Sequence, residues 1–141
     1  MAEISLSSVS APRVLVVDDD EAFRFFNTNT LKRFGYEVDA AEDGASAWEM
    51  LQIGRYDLLI TDNNMPKVTG HELLELLHAA HVVLPVIMAT GKAPDDKISY
   101  MICPRPDAVL IKTYTRKALL ETVQAVLRRA SLPTFPKIQR P

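Results

Sequence analysis

Short apolar runs alternate with segments of helical spacing along most of this chain. Five runs have the length and composition of strands: Arg13 to Val17, Tyr36 to Ala40, Tyr56 to Thr61, Leu84 to Ala89 and Asp107 to Ile111. The segments between them repeat apolar residues every three or four positions, as amphipathic helices do. Strands that alternate with helices build a parallel sheet with helices on both faces. The pattern therefore predicts an α/β fold.

Four of the expected helices carry clear start or stop signals. The first follows the acidic cluster Asp18 to Asp20 and ends at Phe34, because the glycine after it favours a helix terminus. The second covers about Gly44 to Ile53, and another opens at Gly70. The last covers residues 115 to 130 and has arginines in its final turn, where they complement the helix dipole.

The segment from Lys92 to Pro106, before the last strand, favours a helix only weakly. Pro104 and Pro106 fix φ and remove amide donors, and few strong helix formers surround them. We expect this helix, the fourth in chain order, to be short or poorly ordered.

Polar residues follow or close four of the five predicted strands. Asp18 to Asp20 follow the first strand, Asp62 the third and Lys112 the fifth, while Thr90 ends the fourth. Ligand chemistry collects at the carboxyl ends of parallel strands, so these side chains should meet at one edge of the sheet. Converging carboxylates repel one another unless a hard cation such as Mg²⁺ binds among their oxygens. The sequence thus predicts an acidic metal pocket.

A phosphoryl group is the substrate that such a pocket suits. The ammonium group of Lys112 and the hydroxyl group of Thr90 would face the metal, and these groups together grip anionic phosphoryl oxygens. A carboxylate in this setting can act as a nucleophile and become an acyl phosphate.

Composition and charge exclude several other classes of protein. The 141 residues are 48% hydrophobic and 24% charged, which suits one folded domain at residues 12–131, with tails at 1–11 and 132–141. The single cysteine excludes an internal disulfide and a zinc site built from cysteines. The net charge of -2 argues against binding to nucleic acid or an anionic membrane. With no long apolar run or leader pattern, a cytoplasmic location is expected.

Three spaced motifs and one lysine together resemble the receiver domain of two-component response regulators. They are Val14 to Asp20, Asp57 to Pro66 with Gly70 four residues on, Leu84 to Gly91, and Lys112. The resemblance covers residues 13 to 130 and all five strand and helix units. It implies a flavodoxin-like doubly wound sheet with strand order 2-1-3-4-5.

The resemblance also implies a role for each strand-end residue. Asp62 would accept the phosphoryl group, Thr90 would donate a hydrogen bond to it, and Lys112 would form an ion pair with it. The implied Mg²⁺ ligands are Asp19, Asp18 directly or through water, Asp62, and the backbone carbonyl of Asn64.

The partners implied by the resemblance are signalling proteins. The phosphoryl donor would be a histidine kinase or a histidine phosphotransfer protein, and the protein would catalyse its own phosphorylation and dephosphorylation. The downstream partner is unknown, and a homodimer stays open. Phe23, Phe25 and Phe26 are too closely spaced for one buried helical stripe, so at least one should be exposed. An exposed phenylalanine and Tyr114 are the candidate donor contacts.

Two departures from the family pattern keep alternatives open. Thr113 stands where the family usually has proline, so a trans peptide is expected, and Val109 stands where the family often has an aromatic residue. These departures suit a docking module that has lost switching. A phosphatase of the haloacid dehalogenase type would instead use Asp18 as nucleophile and Asp20 as general acid, but it leaves Asp62 unexplained.

Overall fold

The sheet contains five parallel strands, and its order confirms the predicted doubly wound topology. The computed structural model describes residues 10–91 and 104–131. Its strands are β1 (Arg13–Val17), β2 (Glu37–Ala41), β3 (Leu58–Thr61), β4 (Val86–Thr90) and β5 (Ala108–Ile111). Its helices within these ranges are α1 (Glu21–Arg33), α2 (Gly44–Ile53), α3 (Gly70–Ala79) and α4 (Arg116–Ala130). The order across the sheet is β2-β1-β3-β4-β5, and every pairing is parallel.

Alternate strand residues supply two hydrophobic cores, one on each face of the sheet. On one face, Val14 and Val16 of β1 pack with Leu31 of α1 and with α4 residues such as Leu119. On the other face, Leu15 of β1 packs with residues of α2 and α3. Successive strand side chains point to opposite faces, and this alternation separates the two cores. The prediction of helices on both faces is confirmed.

A side-chain cap fixes the start of each described helix. The caps are Asp20 for α1, Asp43 for α2, Thr69 for α3 and Thr115 for α4. Each side-chain oxygen accepts a hydrogen bond from an amide of the first turn, which has no partner inside the helix. All four caps lie in loops that leave the carboxyl ends of strands, namely β1, β2, β3 and β5. They therefore fix the direction in which each chain leaves the sheet.

The predicted boundaries are correct for β1, for α2 and for the start of α3 at Gly70, and the other elements differ by one or two residues at one or both ends. Tyr36 was expected to open the second strand, but its amide donates to the Leu31 carbonyl at 3.0 Å and so belongs to the end of α1. The expected short helix within Lys92 to Pro106 falls on residues 92–103, outside the described residues, as do tail residues 1–9 and 132–141. Among the described helices, none is long and apolar enough to cross a membrane.

Candidate functional site

The carboxyl ends of β1, β3 and β5 bring two aspartates and a lysine into contact. The Nζ atom of Lys112 lies 3.0 Å from Asp18 Oδ2 and 3.2 Å from Asp62 Oδ2. It also donates a hydrogen bond to Asp18 Oδ1 at 3.2 Å. Asp18 is 1% exposed, Asp62 is 5% exposed and the Lys112 side chain is 12% exposed. Three of the residues predicted from strand ends therefore form one buried charged cluster.

Burial and the neighbouring opposite charges shift the pKa values of Asp18 and Lys112 in opposite directions. Burial raises the pKa of Asp18, while the backbone amide of Asp20 and the ammonium of Lys112 partly counteract it. The neighbouring Asp62 raises the pKa of Asp18 further. For Lys112, burial alone lowers the pKa, but hydrogen bonds and charge from both aspartates outweigh it, and the net pKa is raised. Lys112 therefore carries its positive charge in the folded protein.

Three carboxylates lie close enough to share one cation. One carboxylate oxygen from each of Asp18, Asp19 and Asp62 lies within 4.8 Å of the others. Asp18 Oδ2 is buried and, although Lys112 lies beside it, accepts no hydrogen bond from the described residues. The Lys112 ammonium at 3.0 Å offsets part of the cost of burying this oxygen, and a divalent cation among the three carboxylates would offset more. The residues fit the predicted Mg²⁺ site, since hard divalent cations prefer carboxylate oxygens.

The remaining predicted residues lie at the same edge of the sheet. Thr90 is buried at the end of β4, and its carbonyl accepts the backbone amide of Lys112 at 2.7 Å. The Asn64 amide donates to Asp62 Oδ1 at 3.3 Å, so the backbone of Asn64 reaches the same carboxylate. Their roles in binding phosphoryl oxygens and metal stay predictions.

Asn63 organises the loop that carries Asp62 into α3. Its carbonyl accepts the amides of Met65 at 3.1 Å and Gly70 at 3.2 Å. Its side-chain oxygen accepts the His71 amide at 3.0 Å, in the first turn of α3. These three bonds fold the loop back on the end of β3 and fix the backbone on which Asp62 stands.

Gly70→Ala should destabilise the fold and disturb Asp62. A Cβ at position 70 would lie 2.5 Å from the Asp62 carbonyl oxygen and 3.0 Å from the Asn63 Cα, and backbone atoms cannot move away cheaply. We expect a loss of about 1–3 kcal/mol in the free energy of unfolding, measured by urea denaturation. The matched control is Gly91→Ala, where the added methyl group meets no atom of the described residues within 4 Å. Equal stability of the two variants would contradict the close approach.

Helix α1 makes contacts with the site that the sequence interpretation missed. The ring centroid of Phe23 lies 4.5 Å from Lys112 Nζ. Arg24 donates to the Asp18 carbonyl at 2.7 Å, and the Tyr114 hydroxyl donates to Asn27 Oδ1 at 2.6 Å. Positions 23 and 27 lie one turn apart on a single helix face, but this spacing does not indicate what that face contacts.

The aromatic residues near the site differ in exposure. Phe25 is 68% exposed, which confirms that at least one of the three phenylalanines faces solvent. Tyr114 is half-buried and packs against Phe26, with ring centroids 6.0 Å apart. Burial is the main cause that raises the pKa of Tyr114 to about 12; the bond to Asn27 opposes this rise, and the charges of Asp18 and Asp62 add to it. A contact of Tyr114 with a phosphoryl donor stays a prediction.

Asp20 has a structural role that weakens the phosphatase alternative. Its Oδ1 atom accepts the amides of Ala22 at 2.8 Å and Phe23 at 3.2 Å, at the start of α1. These bonds fix the Asp20 carboxylate at the start of the helix, a structural role that the phosphatase pattern does not require. Asp62, which the phosphatase pattern does not use, lies 3.2 Å from Lys112 and belongs to the same buried cluster as Asp18.

Comparison with known sequences identifies relatives of different lengths. The protein-family model of the response regulator receiver domain matches residues 14–124. The chain is 34% identical over 122 residues to the chemotaxis protein CheY of Pseudomonas aeruginosa, covering 84% of this chain and 98% of CheY. It is 43% identical over 94 residues to the 3',5'-cyclic-nucleotide phosphodiesterase regA of Dictyostelium discoideum, covering 64% of this chain and 12% of regA. It is 35% identical over 123 residues to the response regulator MprA of Mycobacterium ulcerans, covering 85% of this chain and 52% of MprA. The chain thus spans only part of these two longer relatives.

Solved structures agree with these sequence relationships. A CheY-like response regulator receiver domain protein from Methanospirillum hungatei superposes with a TM-score of 0.78 at 29% identity, covering 85% of this chain and 96% of that one. Chemotaxis response regulator CheY4 of Vibrio cholerae gives 0.76 at 32% identity, covering 83% and 99%. Because the protein-family model covers most of the chain and solved receiver domains share its fold, this chain belongs to the response regulator receiver domain family.

Proposed function

We propose that Asp62 accepts a phosphoryl group, with Mg²⁺, from a histidine kinase or a histidine phosphotransfer protein, and that phosphorylation changes the binding of a partner protein. The observation that carries this proposal is the cluster around Asp62. Its carboxylate lies 3.2 Å from the Lys112 ammonium. One of its oxygens also lies within 4.8 Å of a carboxylate oxygen of Asp18 and of Asp19. Family membership and the CheY relative support it.

Each residue of the cluster has a separate task in phosphoryl transfer. An oxygen of Asp62 forms the new bond to phosphorus, while the bond to the donor nitrogen breaks and its electron pair leaves with the imidazole. Lys112 pairs with the phosphoryl oxygens, and Thr90 donates its hydroxyl proton to one of them. The proposed Mg²⁺ ligands are Asp18, Asp19, Asp62 and the backbone carbonyl of Asn64. When bound, Mg²⁺ neutralises charge on these anionic oxygens.

Beryllofluoride provides a test that needs no partner protein, because it mimics an acyl phosphate on a carboxylate. We expect the protein to bind one equivalent in the presence of Mg²⁺ and none in the presence of EDTA, as measured by isothermal titration calorimetry. Amide NMR signals of residues 62, 90 and 112 should shift most on binding. Binding without Mg²⁺, or shifts confined to the opposite edge of the sheet, would contradict the proposal.

A further inference from the structure

Helix α1 holds the segment that carries Lys112 at two points. The centroid of the Phe23 ring lies 4.5 Å from the Nζ atom of Lys112. Tyr114, two residues after Lys112, donates its hydroxyl proton to Asn27 Oδ1 at 2.6 Å. Phe23 and Asn27 are four residues apart and therefore lie on one face of α1.

We propose that Phe23 and Asn27 are positioning residues that aim the Lys112 ammonium at the phosphoryl group on Asp62. Phe23 acts on the ammonium directly, through the attraction between a cation and an aromatic ring. Asn27 acts on the backbone that follows Lys112, through its hydrogen bond with Tyr114. The kinetic part of this inference rests on the proposed function, whereas the structural part does not.

Lys112 needs such support because it stands at the end of an edge strand. Its backbone amide bonds to the Thr90 carbonyl at 2.7 Å, and the Tyr114 amide turns back to the Ile111 carbonyl at 2.9 Å. The lysine stem is long and flexible, so its ammonium reaches one position only where contacts restrict it. An aromatic face attracts the ammonium without placing another anion beside Asp18 and Asp62.

The anchor at Asn27 is buried, which makes its hydrogen bond hard to replace. Asn27 is 1% exposed, so solvent could not replace the Tyr114 hydroxyl as the hydrogen-bond donor to its side-chain oxygen. The Tyr114 ring also packs against Phe26, with centroids 6.0 Å apart. Tyr114 thus ties the residues after Lys112 to the same helix face that carries Phe23.

The test compares Phe23→Leu, Phe23→Trp and Tyr114→Phe with the wild type. Hydrogen exchange of the Lys112 ammonium, measured by NMR without metal or phosphoryl donor, reports how firmly it is held. We expect exchange to become about two- to tenfold faster in Phe23→Leu and Tyr114→Phe and to stay near the wild-type rate in Phe23→Trp. The rate of phosphorylation at saturating acetyl phosphate and Mg²⁺ should fall by about the same factor in the first two variants.

Phe34→Leu is the matched control, since Phe34 is an exposed phenylalanine at the other end of α1 that stacks on Tyr36. Unchanged ammonium exchange in Phe23→Leu and Tyr114→Phe would overturn the proposal. Ammonium exchange that is accelerated equally in Phe23→Trp and Phe23→Leu would also overturn it, because a change in packing alone would then explain both variants. If the wild type takes up no phosphoryl group, the proposed function fails, while the exchange rates still decide whether α1 holds Lys112.

Discussion

Asp62→Asn is expected to abolish phosphoryl uptake from acetyl phosphate. The substitution keeps the shape of the side chain but removes the carboxylate oxygen that would bond to phosphorus, and an amide is a far weaker nucleophile. Asp62 is also the carboxylate at the end of β3, where it lies 3.2 Å from the Lys112 ammonium that would pair with the phosphoryl oxygens. Intact mass spectrometry, with Mg²⁺ present, should show one added phosphoryl group in the wild type and none in the variant.

The matched control for this experiment is Asp57→Asn, an identical change just before the opposite end of β3. Asp57 is exposed, and its carboxylate accepts the Arg13 amide at 2.8 Å, at the amino edge of the sheet. We expect this variant to take up the phosphoryl group as the wild type does. Equal uptake by Asp62→Asn and Asp57→Asn would show that phosphorylation, if it occurs, uses another residue.

Lys112→Met should lower the free energy of unfolding by about 3 kcal/mol near neutral pH without Mg²⁺. The change removes the cation that lies 3.0 Å from Asp18 and 3.2 Å from Asp62, and both carboxylates stay buried. A buried carboxylate that loses its cation destabilises the fold more strongly than a surface charge does. Urea denaturation followed by circular dichroism measures the difference, with exposed Lys117→Met as the control.

The loss of unfolding free energy in Lys112→Met should depend on pH in a defined direction. The pKa of Lys112 is raised above its ordinary value of 10.5, so its stabilising contribution is fully present below that value and disappears as pH rises through the higher folded-state pKa. In Lys112→Met, protonation of Asp18, whose pKa burial already raises, relieves the unpaired charge at low pH. The loss should therefore be smaller near about pH 5 than near neutral pH. A loss that is the same at both pH values would contradict the buried ion pair.

The fold and the charged cluster were predictable because both depend on short-range patterns. Apolar runs that end in Asp18, Asp62 and Lys112 fix which side chains meet, since parallel strands end at one edge of the sheet. The strand boundaries were less predictable because hydrogen bonds outside the strands decide them. The Tyr36 amide, for example, bonds to the Leu31 carbonyl at the end of α1.

The contacts of α1 with the lysine segment could not be predicted from these patterns. The bond between Asn27 and Tyr114 joins residues 87 positions apart, and no local pattern indicates which helix face meets the end of β5. The crowding of Phe23, Phe25 and Phe26 showed only that one ring must be exposed. Packing of α1 on the sheet decides that Phe25 is exposed and that Phe23 reaches Lys112.

The site of phosphorylation is the most direct test of the proposed function. The protein is incubated with acetyl phosphate and Mg²⁺ and then treated with borohydride, which reduces an acyl phosphate to an alcohol, and tandem mass spectrometry locates the reduced aspartate. We predict homoserine at Asp62 and unmodified aspartate at Asp18. Reduction at Asp18 would favour the phosphatase mechanism. No reduced aspartate, also after incubation with a phosphorylated histidine phosphotransfer protein, would contradict phosphoryl transfer and favour a docking module.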